Sequence, residues 1–234
     1  MFGAEPYGNY NRILLSPVLA GEKTIDEIML NDEQWYADNG ITLHKGKWVE
    51  EVNRATRIVR ASDGCEAGYD RLIIATGSSP FIIPIPGNEL DGVISFRDIN
   101  DVDTMLLASR KTGGKSVVIG GGLLGLEAAN GLLIQGMDVS VVHLMDTLME
   151  RQLDKPAAAL LKTSLEQKGM KFLMKAQTEA ILGTDKAEGI RFKDGLEIPA
   201  DLVVMAVGIR PNIDLARKIG LHCERGIVVN DTMQ

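Results

Sequence analysis

The chain has 234 residues, 45% of them hydrophobic, and a formal net charge of −7. That length suits one large domain or two modest ones with a buried core. The acidic balance disfavours nonspecific binding to nucleic acid or anionic membrane, and the longest apolar stretch, 117–137, carries Glu127, Asn130 and Gln135, too polar for a membrane span.

In chain order, 8–16 reads as a loop, 25–39 as helical and 42–49 as a strand. Residues 57–61 form a short strand, and Asp63-Gly64 a hairpin turn. Arg71-Leu72-Ile73-Ile74-Ala75 is a continuous apolar run, the pattern of a strand buried on both faces of a parallel sheet. Thr76-Gly77-Ser78-Ser79-Pro80 ends it. Pro80, Pro84 and Pro86 then stiffen an extended linker, with a domain crossing expected shortly after. A helix is expected over 101–110, a strand over 115–119, a turn at 120–122 and a helix over 123–135 stopped by Gly136. A strand follows over 138–142. Asp154 reads as a helix N-cap, with Pro156 in the first turn and Gly169 past the end. Strands are expected at 171–174, 178–182 and 189–193. Asp194-Gly195 is a second hairpin turn, and 202–207 a second buried strand.

Cys65 and Cys223 are the only cysteines, and they form no CxxC pair. They read as reduced thiols, so no redox disulfide is expected. The three histidines are scattered, and no metal site is expected. Glu5 and the polar Gly8-Asn9-Tyr10-Asn11 stretch stand where a signal peptide would need apolar residues, so a cytoplasmic chain is expected.

The two hairpin turns stand 131 positions apart. At that offset Arg60 falls on Arg191, Glu66 on Glu197, Asp70 on Asp201, Ala75 on Ala206, Gly77 on Gly208 and Pro80 on Pro211, all without a gap. This reads as two tandem copies of one dinucleotide-binding unit. The same offset sets the first copy's glycine turn before Met1. The expectation is therefore that the first unit lacks its opening and that residues 1–4 belong to its second strand.

Gly120-Gly121-Gly122-Leu123-Leu124-Gly125 fits GxGxxG between an apolar strand and an apolar helix, with a second strand after it. Gly120 would make the tight turn, Gly122 would admit a pyrophosphate to the backbone, and Gly125 would let helix and strand pack closely. The helix N-terminus would offer free amides to the phosphates. The ribose-reading position at the end of the second strand falls on His143. An acidic residue there reads the 2′-hydroxyl of NADH and a basic one suits the 2′-phosphate of NADPH. Histidine decides neither, and an ordinary surface histidine stays open as well.

Residues 69–77, 120–127 and 206–212 resemble three segments of the pyridine nucleotide–disulfide oxidoreductase superfamily: the second FAD-contacting segment, the NAD(P)H glycine motif and the domain-return segment. Residues 2–6, 9–16 and 143–154 are further similar to the FAD/NAD(P)H portion of assimilatory nitrite reductase large subunits. The resemblance implies an α/β fold of tandem Rossmann-like FAD- and NAD(P)-binding units, glutathione-reductase-like, with the FAD unit incomplete. It implies a partial FAD domain over 1–98, an NAD(P)H domain over 99–212 and the start of a return over 213–234.

The resemblance also implies residue roles. Glu5 would bind the adenosine ribose of FAD, Arg12 would lie near the flavin, and Val49 would offer backbone to the adenine. Ala75, Thr76 and Gly77 would line the FAD site. Gly120, Gly122, Leu123, Leu124, Gly125 and His143 would hold NADH or NADPH, with Gly208 on the return. Glu127 would face the nicotinamide amide, an ordinary helix glutamate being the alternative. The implied activity is hydride transfer from nicotinamide to flavin. Electrons would then pass to a 4Fe-4S centre and sirohaem in downstream redox domains or a small reductase subunit, which reduce nitrite to ammonia. A rubredoxin- or ferredoxin-type reductase and a noncatalytic nucleotide-binding fragment are the alternatives.

Overall fold

Secondary structure follows the apolar patterning closely in the second half of the chain and less closely in the first. The computed structural model describes residues 1–111 and 113–234. The first third holds β1 (Phe2–Gly3), a 3-10 turn (Arg12–Leu14), α1 (Leu15–Leu19), α2 (Ile25–Ile28), α3 (Glu33–Asp38), β2 (His44–Lys45), β3 (Val49–Asn53), β4 (Ile58–Ala61) and β5 (Glu66–Gly68). Then come β6 (Ser78–Pro80), β7 (Val93–Ser95), α4 (Ile99–Ser109), β8 (Lys115–Ile119), α5 (Leu123–Ile134) and β9 (Asp138–His143). The last third holds α6 (Lys155–Gln167), β10 (Lys171–Met174), β11 (Thr178–Leu182), β12 (Gly189–Phe192), β13 (Glu197–Pro199), β14 (Leu202–Met205), β15 (Ile209–Pro211) and α7 (Asp214–Lys218). Two compact units result. One comprises Met1–Asn11, Ile28–Ser79 and Ile209–Gln234; the other Arg12–Glu27 and Pro80–Gly208.

The larger unit is built on a parallel sheet in the order β10-β9-β8-β14-β7. All four residues of β14 are buried: β8 and β7 pair with it in the sheet, while the antiparallel sheet and α5 pack against it. Its unbroken Leu-Val-Val-Met run is what a strand with two covered faces requires. One face packs on the antiparallel sheet β11-β12-β13, where Ile190 and Phe192 join Val117, Val142, Val203 and Met205 in one core. α5 packs against the parallel sheet and against α1. A Cβ on Gly131 would come within 2.6 Å of Leu19, so only glycine allows that helix crossing. Asp98 and Asp101 close a capping box at the start of α4. Asp154 caps α6 by accepting the amide of Ala157 at 2.9 Å, as its sequence position suggested.

The smaller unit pairs β1 with β2 in parallel and forms a second antiparallel sheet, β3-β4-β5. Here the repeat becomes geometric. β4 and β5 fall on β12 and β13 at the 131-residue offset, and the Arg60↔Glu66 pairing of one hairpin reappears as Arg191↔Glu197 in the other. β6 and β15, also equivalent at that offset, pair with each other.

Four expectations are corrected. Residues 71–75 form no strand, and Ile73 is 89% exposed. Their pattern matches that of β14, yet no strand pairs with them among the described residues, and an apolar run without a ladder partner cannot become a sheet. The helix expected over 25–39 is two helices, because Asp32 accepts the amide of Trp35 and starts α3 afresh. The strand expected over 42–49 is only His44–Lys45 and, at its last residue, the start of β3, and the expected loop over 8–16 already contains the start of α1.

Asp201 ties the near end of β14 to β8. Its carboxylate accepts the Lys115 amide at 2.9 Å and pairs with Lys111, while its own amide donates to the Lys115 carbonyl. The Lys111 ammonium first, then the Lys115 amide, hold this carboxyl below the usual aspartate range. A depressed folded value contributes stability above the unfolded pKa, lost as pH falls through the folded one. Asp201→Asn is therefore expected to lower Tm by roughly 1–3 °C at pH 7, a small effect because the carboxylate is partly solvated. The gap should close as pH falls below about 4. Thermal melts of both proteins at several pH values check this.

Candidate functional site

The turn between β8 and α5 is shaped by two backbone approaches that exclude side chains. Gly120 has a φ of 125°, and a Cβ there would lie 2.3 Å from the carbonyl oxygen of Ala206, just past β14. A Cβ on Gly125 would lie 2.0 Å from the carbonyl oxygen of Gly120. These contacts press the first turn of α5 onto the ends of the central strands. The Gly120 amide donates to Val142 at 2.9 Å, which ties the turn to β9.

Gly122 differs. It is the N-cap of α5, its backbone is extended, no side chain caps the helix, and a Cβ there would meet nothing within 4 Å. The first amides of a helix have no partner within it. Leu123 and Leu124, in that first turn, are 57% and 38% exposed. Open space thus lies beside unpaired donors at the positive end of a helix of 12 residues. The turn fits a pyrophosphate: the space that a Cβ on Gly122 would fill is free for oxygen atoms.

His143, last residue of β9, is buried, with 8% of its surface exposed. Its Nδ1 accepts the Gly121 amide at 3.1 Å, and its Nε2 lies 3.2 Å from Glu150 Oε2. The sequence pointed to His143 but not to Glu150 or Gly121. A Cβ on Gly121 would strike Leu148 at 2.7 Å and the His143 ring at 2.8 Å. The available signal was a third consecutive glycine where the motif needs two.

Glu127 lies in the first half of α5, half-buried, and accepts the Ser16 hydroxyl at 2.7 Å. Arg12 donates to the Arg97 carbonyl at 2.7 Å. Gly208 is exposed, and its carbonyl accepts the Phe81 amide. In the smaller unit the Glu5 carboxylate accepts from Tyr10 at 2.5 Å, and its carbonyl accepts the Gly46 amide. Val49 opens β3 a few residues further on. Ala75, Thr76 and Gly77 are exposed. Asn212 anchors that segment: it accepts from the Thr76 hydroxyl at 2.6 Å and donates side-chain and backbone N–H to the Thr76 and Gly77 carbonyls. Sequence reading placed Asn212 in the return segment without seeing this role.

Both thiols are free. Cys65 Sγ lies 3.9 Å from His44 Nδ1, and Cys223 donates to the Leu221 carbonyl at 3.5 Å. Among the described residues no helix is long and apolar enough to cross a membrane.

A tight glycine turn over parallel strands, with a helix N-terminus opening on free space, defines a dinucleotide-binding oxidoreductase fold. The chain belongs to the pyridine nucleotide-disulphide oxidoreductase family, whose model matches residues 1–234. Membership implies FAD and a pyridine nucleotide as cofactors. The chain is 57% identical over its whole length to the nitrite reductase [NAD(P)H] of Bacillus subtilis (strain 168), covering 29% of that protein. It is 50% identical over its whole length to the assimilatory nitrate reductase electron transfer subunit of the same organism, covering 30% of it. It thus spans under a third of these two relatives. The covalent putidaredoxin reductase–putidaredoxin complex contains a chain that superposes with a TM-score of 0.92 at 29% identity, over all of this chain and 57% of that one.

Gly120→Val puts a branched side chain where backbone leaves no room, at a φ that β-branched residues avoid. It is expected to destabilise the protein by more than about 2 kcal/mol, in the range of severe strain and overpacking. Urea melts check this, and a midpoint equal to wild type would disprove the close approach.

Proposed function

We propose that the chain is the FAD- and NAD(P)H-binding module of an NAD(P)H-dependent nitrite reductase. Residues 99–212 are assigned as the NAD(P)H domain, 1–98 as the FAD-binding part and 213–234 as the start of the return to it. The observation that carries the reading is the bare first turn of α5, where open space at Gly122 meets unpaired amides. The Bacillus subtilis relative's name supplies the nitrite assignment.

The nicotinamide, when bound, supplies a hydride and the flavin accepts it. The chain's own contribution is positioning. Gly120, Gly122 and Gly125, with the first turn at Leu123 and Leu124, seat the pyrophosphate and let its charge meet the helix dipole. Glu127, which accepts the Ser16 hydroxyl, is assigned to orient the carboxamide, and Gly208 is assigned to the cofactor on the return. Glu5, Arg12, Val49, Ala75, Thr76 and Gly77 are assigned to FAD, with Asn212 fixing the last two. NADH is the better fit of the two nicotinamide cofactors. His143 already serves Gly121 and Glu150, and no Arg or Lys stands between His143 and Glu150 to hold a 2′-phosphate.

In this reading electrons leave the flavin for a 4Fe-4S centre and sirohaem on further redox domains or a small reductase subunit, in the cytoplasm. A ferredoxin-type reductase is the second reading, favoured by the likeness to putidaredoxin reductase. Nitrite-dependent against ferredoxin-dependent oxidation of NADH by the whole protein separates the two.

Gly122→Val is expected to weaken NADH and NADPH binding at least about tenfold, or roughly 1.4 kcal/mol, and to leave thermal stability unchanged. Titration of both cofactors beside a melt checks this; wild-type affinity in the variant removes Gly122 from the site. If electrons travel through flavin, Cys65→Ser with Cys223→Ser should leave NADH-driven dye reduction within about twofold of wild type, a difference below roughly 0.5 kcal/mol. Loss of activity with flavin retained would point to a thiol route.

A further inference from the structure

The glycine turn is held from behind by a side chain that the glycine motif does not contain. We infer that His143 is a positioning residue for nicotinamide nucleotide binding, with its Nδ1 holding the Gly121 peptide and Glu150 fixing the ring as its Nε2–H tautomer. This rests on the reading of the turn as the pyrophosphate site.

Gly121 is held through both of its backbone polar groups. Its N–H donates to His143 Nδ1 at 3.1 Å, and its carbonyl accepts the Met149 amide at 3.0 Å. The neighbouring Gly120 amide is taken by Val142. The donors left to face a phosphate therefore begin at Gly122. An imidazole nitrogen accepts only when it carries no proton, so the geometry at Gly121 requires Nδ1 bare and the proton on Nε2. Nε2 lies 3.2 Å from Glu150 Oε2, a carboxylate able only to accept. Two hydrogen bonds on opposite edges of one ring thus select one tautomer.

Burial makes the selection matter. The His143 side chain is 10% exposed, and Leu148, against the same turn, is 1% exposed. A buried peptide N–H without an acceptor is costly, and the turn would rotate to find one. Rotating the Gly121 peptide moves Gly122 next to it, and with it the amides that seat the pyrophosphate. Glu150 reaches the ring through the segment after β9, where Met149 holds a φ of 49° and donates to Gly121. One short segment thus supplies a bond to the turn and the acceptor that orients the histidine.

The experiment compares side chains that imitate one ring nitrogen at a time. Asparagine places an amide oxygen near Nδ1, glutamine places one near Nε2, and leucine supplies neither. His143→Leu is expected to raise the NADH Kd and KM about tenfold, with kcat within about twofold of wild type. His143→Asn should restore both to within about threefold, while His143→Gln should stay near the leucine variant. Wild-type affinity in the leucine variant overturns the inference, and so does equal rescue by glutamine. The ¹⁵N shifts of His143 in the nucleotide-free protein give a readout that needs no cofactor. Nδ1 should be unprotonated and Nε2 protonated, and Glu150→Ala should mix the two tautomers. An Nδ1–H signature in wild type overturns the inference, and an unchanged signature in Glu150→Ala removes Glu150 from it. Gly122→Val run alongside keeps the failures apart. If it binds NADH normally, the pyrophosphate reading fails while the ¹⁵N result still judges the His143 contact.

Discussion

The larger unit depends on one steric constraint: three backbones meet where no Cβ fits. Gly120 lies on the Ala206 carbonyl, and Gly125 lies on Gly120. This convergence fixes the height of α5 above the strand ends and so fixes where its free amides point. Hydrogen bonds refine that placement without creating it. Val142 and His143 draw the turn toward β9, while Asp201 anchors β14 to β8 at the opposite end. Gly122 can then stay open, because its neighbours carry the contacts. A motif of three glycines therefore divides its labour: two make room for the protein's own backbone and one leaves open space at the helix N-terminus.

The repeat shows how far a local pattern determines structure. Both hairpins form with the same register, because Asp-Gly turns and alternating strands carry their own instructions within a few residues. The two apolar runs that follow behave differently. Leu202–Met205 lies buried between two partners, whereas 71–75 is exposed except at the half-buried Ile74. Their sequences are equally suited to a sheet, so the difference lies in what stands beside them.

That contrast also explains what the sequence disclosed. The β8–α5–β9 unit was legible because strand, glycine turn, apolar helix and Gly136 all give the same message within one short stretch. Asp154 was legible as a cap for the same local reason. The break between α2 and α3 was not, because Asp32 competes with a helical pattern on both sides and wins through a single hydrogen bond. The site divided along the same line. The glycines announce themselves by composition. Glu150 reaches His143 through a segment with a left-handed residue at Met149, and Asn212 reaches Thr76 across most of the chain. Neither pairing leaves a periodic trace.

The sheet order also bears on how the chain is made. β14 sits between β8 and β7, yet it is synthesised after every other strand of that sheet. Until Leu202–Met205 leaves the ribosome, the two strands destined to flank it face an empty slot with unpaired edges. Hairpins such as β12–β13 can close as they emerge, but the central ladder must wait for a distant segment to insert. Translation pausing or chaperone holding should therefore matter most in that interval, while the glycine turn still lacks the Ala206 backbone beneath it.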